Sequence, residues 1–272
     1  MLSELKKNPT KKLGQNFLID EKVVNKIASS FIDLDNAPIL EIGAGLGALS
    51  QQLLPLTDHL SLLELDQKLI GHLRGIFCEE HSVSVLYADA LGFDYQQYTE
   101  KMQWAQYHIF GNIPYNITSD LVEKLLIYGG PWLTMTLLVQ REAANRIVLA
   151  RGRDNGPLSL LAQYYAQPEI LFQVSKSSFY PVPSVDSAVM RLTRRLAAPV
   201  EGDKDELFAL IKAGFSLRRK TLANALAASP ISGDKSYWER GLDECGLLAA
   251  IRAEAMTLTD FLNLANWQKN NS

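Results

Sequence analysis

Short apolar runs alternate with amphipathic stretches over the first two thirds of the chain. Seven apolar runs bounded by turn residues are predicted to be buried strands, at 38–42, 60–65, 83–87, 107–110, 133–139, 170–174 and 188–192. The stretches between them have helical patterns. At 120–128, for example, Asp120 and Glu123 have capping-box spacing, and a Gly-Gly-Pro sequence follows. This alternation predicts a doubly wound α/β sheet.

The pattern changes after Arg195. The segment RLAAPVEGDKDE is small and polar, and the sequence beyond it is helical, with the start of a last helix predicted at 257–260. We therefore predict an α/β domain at 1–197 and a small helical domain at 198–272.

Composition and charge exclude several classes of protein. At 272 residues and 47% hydrophobic content, the chain can bury one substantial core and a small second one. No apolar run approaches the roughly 18 residues of a membrane span, and the first residues have no apolar signal core, so we expect a cytoplasmic protein with no membrane partner. Cys78 and Cys245 are far apart and the histidines are scattered, so we predict neither disulfides nor a metal site.

The first chemical motif is PILEIGAGLGALS, in which a predicted strand runs directly into Gly43, Gly45 and Gly47. Glycines at this point allow a tight turn and the close approach of a ligand, although packing alone can also explain them. The next strand ends at Glu64 and Asp66, about 20 residues further on, where carboxylates can accept hydrogen bonds from ribose hydroxyls. Asp89 ends the third strand, where its carboxylate can hydrogen-bond to the edge of an adenine ring. These positions favour a cofactor that contains a nucleoside.

The acids at the strand ends decide which nucleoside cofactor fits best. They suit a cationic or neutral ligand better than a phosphorylated one. The glycine spacing is also G-x-G-x-G rather than the dinucleotide pattern G-x-G-x-x-G. We therefore predict S-adenosylmethionine, with NAD in a hydride-transfer enzyme as the alternative. For Glu41 and Asp66, helix capping or surface solvation is an equal alternative.

The motif GNIPYN follows the fourth strand and supplies groups suited to a nucleobase amine. That amine is a poor nucleophile, because its lone pair is delocalised into the ring. The side-chain oxygen of Asn112 and the carbonyl of Ile113, held extended by Pro114, can accept its two N–H groups and restore the lone pair. Tyr115 can stack on a flipped base. A structural turn with a buried asparagine is the alternative.

Several motifs together resemble a known family: KKLGQNFLID, EIGAGLG, GNIPYN, LLVQREAANRIV, FYPVPSVDSAV and FSLRRKTLANAL, in this order. The chain resembles the KsgA/RsmA family, the bacterial small-subunit rRNA adenine dimethyltransferases, over nearly its whole length. NIPYN and the run from Phe179 to Ser187 are shared with the erythromycin-resistance methylases of 23S rRNA. The helical C-terminal segments favour the first family.

The resemblance implies a Rossmann-like class I methyltransferase that dimethylates two adjacent adenosines near the 3′ end of 16S rRNA in the small ribosomal subunit, as a ribosome biogenesis factor. It uses S-adenosylmethionine without a metal and is expected to be a monomer. A 23S rRNA methyltransferase and a non-catalytic assembly factor are the alternatives.

The predicted site residues fall into three groups. The cofactor is expected to contact Gln15, Asn16, Leu18, Gly43, Gly45, Glu64, Asp66, Asp89, Ala90 and Asn112. The catalytic group is Asn112, Ile113, Pro114, Tyr115 and Phe179, with Phe179 resembling a second aromatic residue of the target-base pocket. The net charge of −3 argues against binding RNA by overall charge, so local clusters are predicted to contact phosphates. They are Lys11, Lys12, Arg218, Arg219 and Lys220, although a solvated surface is the simpler alternative for such runs.

Overall fold

The computed structural model describes residues 15–31, 36–149, 152, 155–199 and 202–271. The strands in these residues are β1 Phe17–Leu18, β2 Ile39–Ile42, β3 Leu60–Glu64, β4 Val83–Tyr87, β5 Tyr107–Asn112, β6 Trp132–Gln140, β7 Ala166–Val174, β8 Phe179–Tyr180 and β9 Ser187–Arg194. The α-helices are α1 Glu21–Ser29, α2 Ala48–Leu53, α3 Gln67–Ile76, α4 Tyr95–Lys101, α5 Thr118–Tyr128, α6 Arg141–Val148, α7 Pro157–Tyr165, α8 Lys204–Gly214, α9 Leu222–Ala227, α10 Lys235–Glu244 and α11 Leu258–Asn270. None of the helices in this part of the chain is both long and apolar enough to cross a membrane.

A seven-stranded sheet has the order β4-β3-β2-β5-β6-β9-β7. The strands from β2 to β6 run parallel to their neighbours, and β9 is antiparallel to β6. Strand β2 pairs with β3 on one side and with β5 on the other. The direction in which successive strands are added to the sheet therefore reverses between β2 and β5. In open α/β sheets a ligand binds at such a reversal, beyond the carboxyl ends of the strands.

All seven predicted strands are confirmed, with ends that differ by a few residues. The central strands β2, β3 and β5 are buried on both faces, as expected for parallel strands covered by helices. Two further strands, β1 and β8, pair with each other in a separate antiparallel ribbon and were not predicted.

Helix ends agree less uniformly with the prediction. Helix α5 ends at Tyr128, before the Gly-Gly-Pro sequence, but the predicted capping box is wrong. The helix begins at Thr118, so Asp120 lies inside its first turn and Ile117 is the N-cap residue, without a side-chain hydrogen bond. Helix α11 begins where the sequence predicted, and it has a capping box between Thr257 and Asp260 that was not predicted.

The chain divides into two compact units. The first ends at Ala144 and resumes over Pro168–Arg194, and the second comprises Asn145–Gln167 and the residues from Arg195 onward. The first unit therefore ends close to the predicted boundary at residue 197. The assignment of 145–167 to the first domain is corrected.

Packing and hydrogen bonds explain why this segment belongs to the second unit. Leu160 is 1% exposed and belongs to the hydrophobic core that α8, α9, α10 and α11 build. The Asn155 side chain is buried as well, and its Nδ2 donates to the carbonyls of Glu254 and Met256 at 3.2 and 2.8 Å. Because these partners lie far along the chain, no local sequence pattern indicates the contact.

Candidate active site

A cavity of about 290 Å³ lies at the carboxyl ends of β2, β3, β4 and β5. It brings together nine of the ten residues predicted to contact a cofactor: Gln15, Asn16, Leu18, Gly43, Gly45, Glu64, Asp89, Ala90 and Asn112. Ile113, Pro114 and Tyr115 line the same cavity. A concave site of this size with a few convergent polar groups is typical of small-molecule binding.

The turn after β2 requires its glycines. Gly43 and Gly45 have φ values of +74° and +58°, in the left-handed region that disfavours other residues. A Cβ at Gly43 would also lie only 3.2 Å from the carbonyl oxygen of Asn112. A side chain at position 43 would therefore push apart the two strand ends that form the cavity floor.

Glu64 is fixed by the backbone of this turn and of its own loop. Its Oε2 accepts from the Gly45 amide at 2.9 Å, and its Oε1 accepts from the amides of Leu65 and Asp66 at 2.8 and 2.9 Å. Burial raises the pKa of the carboxyl group, while these three donors oppose the shift. The carboxylate thus ties together the ends of β2 and β3, in addition to any contact with a ligand.

Asp89 and Asp66 have different surroundings. The exposed Asp89 accepts from the Leu91 amide at 3.0 Å through Oδ1, while Oδ2 makes no hydrogen bond with the described residues. Asp66, by contrast, is outside the lining of the cavity. Its Oδ1 caps helix α3 by accepting from the Lys68 amide at 2.9 Å, and its Oδ2 accepts from Gln15 Nε2 at 3.1 Å. Asp66 thus caps a helix and holds Gln15, and direct contact of its carboxylate with a cofactor stays a prediction.

Glu41 is buried in the cavity wall, and neither alternative considered from the sequence applies to it. It is 2% exposed and lies inside β2, so it is neither a cap nor solvated. Its Oε2 has no hydrogen-bond partner among the described residues. Burial raises the pKa of this carboxyl to about 8; the Ser50 hydroxyl opposes the shift and the Glu64 carboxylate adds to it. A cation in the cavity would favour the ionised form.

Asn112 is oriented by one hydrogen bond. Its Nδ2 donates to the carbonyl of Asn16 at 2.9 Å. A carbonyl can only accept, so this contact requires the nitrogen end of the amide at that position and makes Oδ1 the free acceptor end. The orientation is the one that the sequence interpretation needs.

The residues after Asn112 are held in place by the sheet and by a serine. Ile113 donates its amide to the Leu138 carbonyl at 3.0 Å. The Tyr115 hydroxyl lies 2.8 Å from the Ser187 Oγ, which fixes the position of a half-buried ring. Burial raises the pKa of this hydroxyl, so Tyr115 is a neutral aromatic surface at the cavity wall.

Phe179 is not presented to the cavity. It is 1% exposed, lies outside the cavity lining and belongs to the core cluster that contains Leu18, Val174 and Val189. Its partner across the β1–β8 ribbon is Leu18. The predicted stacking of Phe179 on a target base does not fit this conformation, because the ring has no accessible face.

The predicted RNA-binding residues are only partly covered by the structure. Lys11 and Lys12 lie outside the described residues. Arg218, Arg219 and Lys220 lie in an exposed turn between α8 and α9. They lie in a turn rather than on a helix, and their exposure agrees equally with phosphate contact and with the simpler alternative of a solvated surface. Phosphate binding by these residues stays a prediction.

The sequence interpretation missed two polar residues of the cavity wall. Glu41 was recognised as an acid but not as a buried one. Thr136, in β6, also lines the cavity, and its buried Oγ1 has no hydrogen-bond partner among the described residues. Both side chains lie in register with Phe110 of β5. Only the strand register, which no local pattern reveals, indicates that they share one face of the sheet. No cluster of metal-ligating side chains occurs in the described part of the chain.

Known proteins of similar sequence are rRNA methyltransferases. A model of the ribosomal RNA adenine dimethylase family matches residues 6–269. The protein named ribosomal RNA small subunit methyltransferase A from Lachnoclostridium phytofermentans is 40% identical over 261 residues, covering 94% of this chain and 90% of its own length. Its namesake from Pelotomaculum thermopropionicum is 36% identical over 269 residues, covering 95% and 91%.

Two solved structures have the same fold. The 23S rRNA methyltransferase ErmE has a TM-score of 0.73 at 26% identity, covering 93% of this chain and 100% of its own. A dimethyladenosine transferase from Plasmodium falciparum has a TM-score of 0.79 at 23% identity, covering 94% and 98%. The sheet and its cavity therefore define a Rossmann-like methyltransferase fold. The chain belongs to the ribosomal RNA adenine dimethylase family.

Proposed function

We propose that this protein transfers methyl groups from S-adenosylmethionine to the exocyclic amines of two adjacent adenosines near the 3′ end of 16S rRNA, in the small ribosomal subunit. The observation that carries the proposal is the orientation of Asn112. Its Nδ2 is bound to Asn16, so its Oδ1 is the acceptor at the wall of a cavity that also contains the glycine turn. The names of the similar proteins support the small subunit as the substrate.

The residues of the cavity fit this cofactor. The glycine turn leaves room for a close backbone approach, and Asp89 has a free carboxylate oxygen for an adenine amine. Glu64 lies at the end of β3, where a ribose hydroxyl can donate a hydrogen bond to its Oε2. The unpartnered Oε2 of Glu41 suits a cation. The cofactor supplies a sulfonium-activated methyl group.

The protein contributes orientation and electrostatics to the reaction. Asn112 Oδ1 and the Ile113 carbonyl accept the two N–H groups of the adenine amine, which moves its lone pair out of conjugation. With S-adenosylmethionine held in the cavity, the amine nitrogen would take the activated methyl group, and the carbon–sulfur electron pair would stay on sulfur. The methylated nitrogen is then strongly acidic and loses a proton to water, so no side-chain base is required. Positioning and the exclusion of water supply most of the rate acceleration.

The decisive experiment is transfer of labelled methyl to purified small subunits that lack the modification, followed by nucleoside analysis. We expect dimethyladenosine from small subunits and none from large subunits. Transfer to large subunits alone would favour the 23S rRNA alternative, for which the similarity to ErmE is the specific observation. Binding to small subunits without any transfer would favour a non-catalytic assembly factor.

A further inference from the structure

The loop between β8 and β9 carries an exposed apolar surface that the proposed reaction does not use. Tyr180, Val182 and Val185 are 41%, 60% and 44% exposed. We refer to these three residues as the 180–185 surface. These residues lie within six positions of one another in one loop, and exposed apolar groups that form a patch commonly mark a binding site.

The strand register places Tyr180 beside the cavity. Tyr180 pairs with Phe17 across the β1–β8 ribbon, and opposite residues of an antiparallel pair project from the same face. Phe17 lines the cavity, and a Cβ at Gly45 would lie 3.4 Å from Phe17 Cδ1. Tyr180 is thus the strand partner, on the same face of the ribbon, of a residue whose ring covers the glycine turn.

The other end of the same loop is also joined to the cavity. Ser187 begins β9 directly after the loop, and its Oγ lies 2.8 Å from the hydroxyl of Tyr115, which lines the cavity. Just before Ser187, Asp186 accepts from the Lys176 amide at 3.1 Å and pairs with Arg141 at 3.6 Å. The loop is therefore fixed at both ends next to the cavity.

We infer that the 180–185 surface binds the nucleobase that flanks the target adenosine, with the Tyr180 ring stacked on that base. This inference rests on the proposed function and extends it from the target base to its neighbour. A base that leaves a stack exposes the faces of its neighbours, and an aromatic ring at the mouth of the site can cover one of them. Stacking tolerates any base, so Tyr180 would hold the strand in place without reading its sequence.

The test measures RNA binding without turnover. The probe is a single-stranded RNA of roughly ten nucleotides, within the usual site sizes, with two adjacent adenosines and 2-aminopurine on their 5′ or 3′ side. Stacking on the tyrosine quenches the fluorescence of 2-aminopurine. We expect Tyr180→Ala to abolish the quenching for one of the two probes and to weaken binding roughly 5- to 100-fold. Tyr180→Phe and Tyr180→Trp should keep both properties, because the ring face is retained.

The control is Tyr128→Ala, which removes a tyrosine that is 63% exposed at the end of α5 and outside the cavity lining. It should bind both probes like the wild type. Affinity for S-adenosylmethionine should be unchanged in every variant. Equal quenching and affinity in wild type and Tyr180→Ala would overturn the inference. If the wild type binds the probes through Tyr180 but transfers no methyl to small subunits, the proposed function alone would be refuted.

Discussion

At the scale of single residues, the orientation of the Asn112 side-chain amide is central to the proposed site. Asn112 donates its nitrogen to the Asn16 carbonyl, which leaves its oxygen for the proposed contact with the substrate amine. We expect Asn112→Ala to lower the rate of methyl transfer by roughly 100-fold or more, the scale of one lost transition-state contact. Single-turnover transfer to small subunits measures this rate, and calorimetry measures cofactor affinity.

The same substitution leaves the Asn16 carbonyl without its donor, so a modest loss of cofactor affinity is also expected, since Asn16 lines the cavity. A control that separates the two effects is Gln15→Ala, which removes a donor to Asp66 in the same segment. It should weaken cofactor binding without a comparable fall in the single-turnover rate at saturation. A near wild-type rate in Asn112→Ala would show that the acceptor role is wrong.

Glu41 gives a pH dependence that is specific to one buried group. Its pKa of about 8 in the folded protein lies above the ordinary value of 4.5. The folded state therefore binds more protons than the unfolded state between these values, and stability falls as the pH rises through this window. Relative to Glu41→Gln, the wild type should lose up to about 1.4 kcal/mol of unfolding free energy per pH unit.

Urea denaturation of the ligand-free protein from pH 5 to pH 8 measures this difference. The exposed Glu79→Gln variant is the matched control, and its curve should run parallel to that of the wild type. Parallel curves for Glu41→Gln and wild type would mean that the buried carboxyl is ionised throughout.

The sequence reveals which residues reach the site better than it reveals what each one does there. The positions of Gly43, Glu64 and Asp89 follow from strand periodicity, because parallel strands end at one edge. Helix capping was among the alternatives that the sequence left open for Asp66, whereas the three amide donors to Glu64 depend on loop geometry that no pattern encodes. The burial of Phe179 depends on its pairing with Leu18, which is 161 residues away in the sequence (179 − 18).

At the scale of elements, two helix starts with similar sequence signals differ in structure. The amide of Asp260 donates to Thr257 Oγ1 at 3.1 Å, and the amide of Thr257 donates to Asp260 Oδ2 at 2.8 Å. Thr257→Ala should therefore cost about 1 kcal/mol of unfolding free energy. Asp120→Ala removes no capping hydrogen bond from α5 and should cost less than half as much, through the helix dipole alone. Chemical denaturation of both variants tests this, and equal losses would contradict it.

The sheet was predictable because its strands are long, apolar and bounded by turn residues. Strands β1 and β8 were not, since each has two residues and too short a run for a period to show. The start of α5 was predicted two residues too late, because a side-chain contact in the preceding turn determines it. Thr118 Oγ1 bonds back to the Pro114 carbonyl at 3.2 Å, and the helix begins there rather than at the acidic pair.

At the scale of the whole molecule, a protein with a net charge of −3 has to hold a polyanion. Overall charge repels RNA, so contact depends on local clusters of exposed cations. Several cations of the second unit are paired: Lys235 with Glu239, Arg240 with Glu244 and Lys269 with Glu206. The exposed turn at 218–220 brings three cations together in sequence without an intervening acid.

The clustered cations at 218–220 and the scattered cations at 235, 240 and 269 allow a matched pair of triple variants. Replacing Arg218, Arg219 and Lys220 with alanine should weaken binding to small subunits and flatten its salt dependence by up to about three units of slope, one for each lost phosphate contact. Replacing Lys235, Arg240 and Lys269 with alanine removes the same formal charge from the same unit, but from side chains that are spread along the sequence, and should change the slope much less. Calorimetry should give unchanged cofactor affinity for both variants, because the cavity is lined by residues of the first unit. If both variants shift the salt dependence equally, overall charge rather than this turn governs the interaction with RNA.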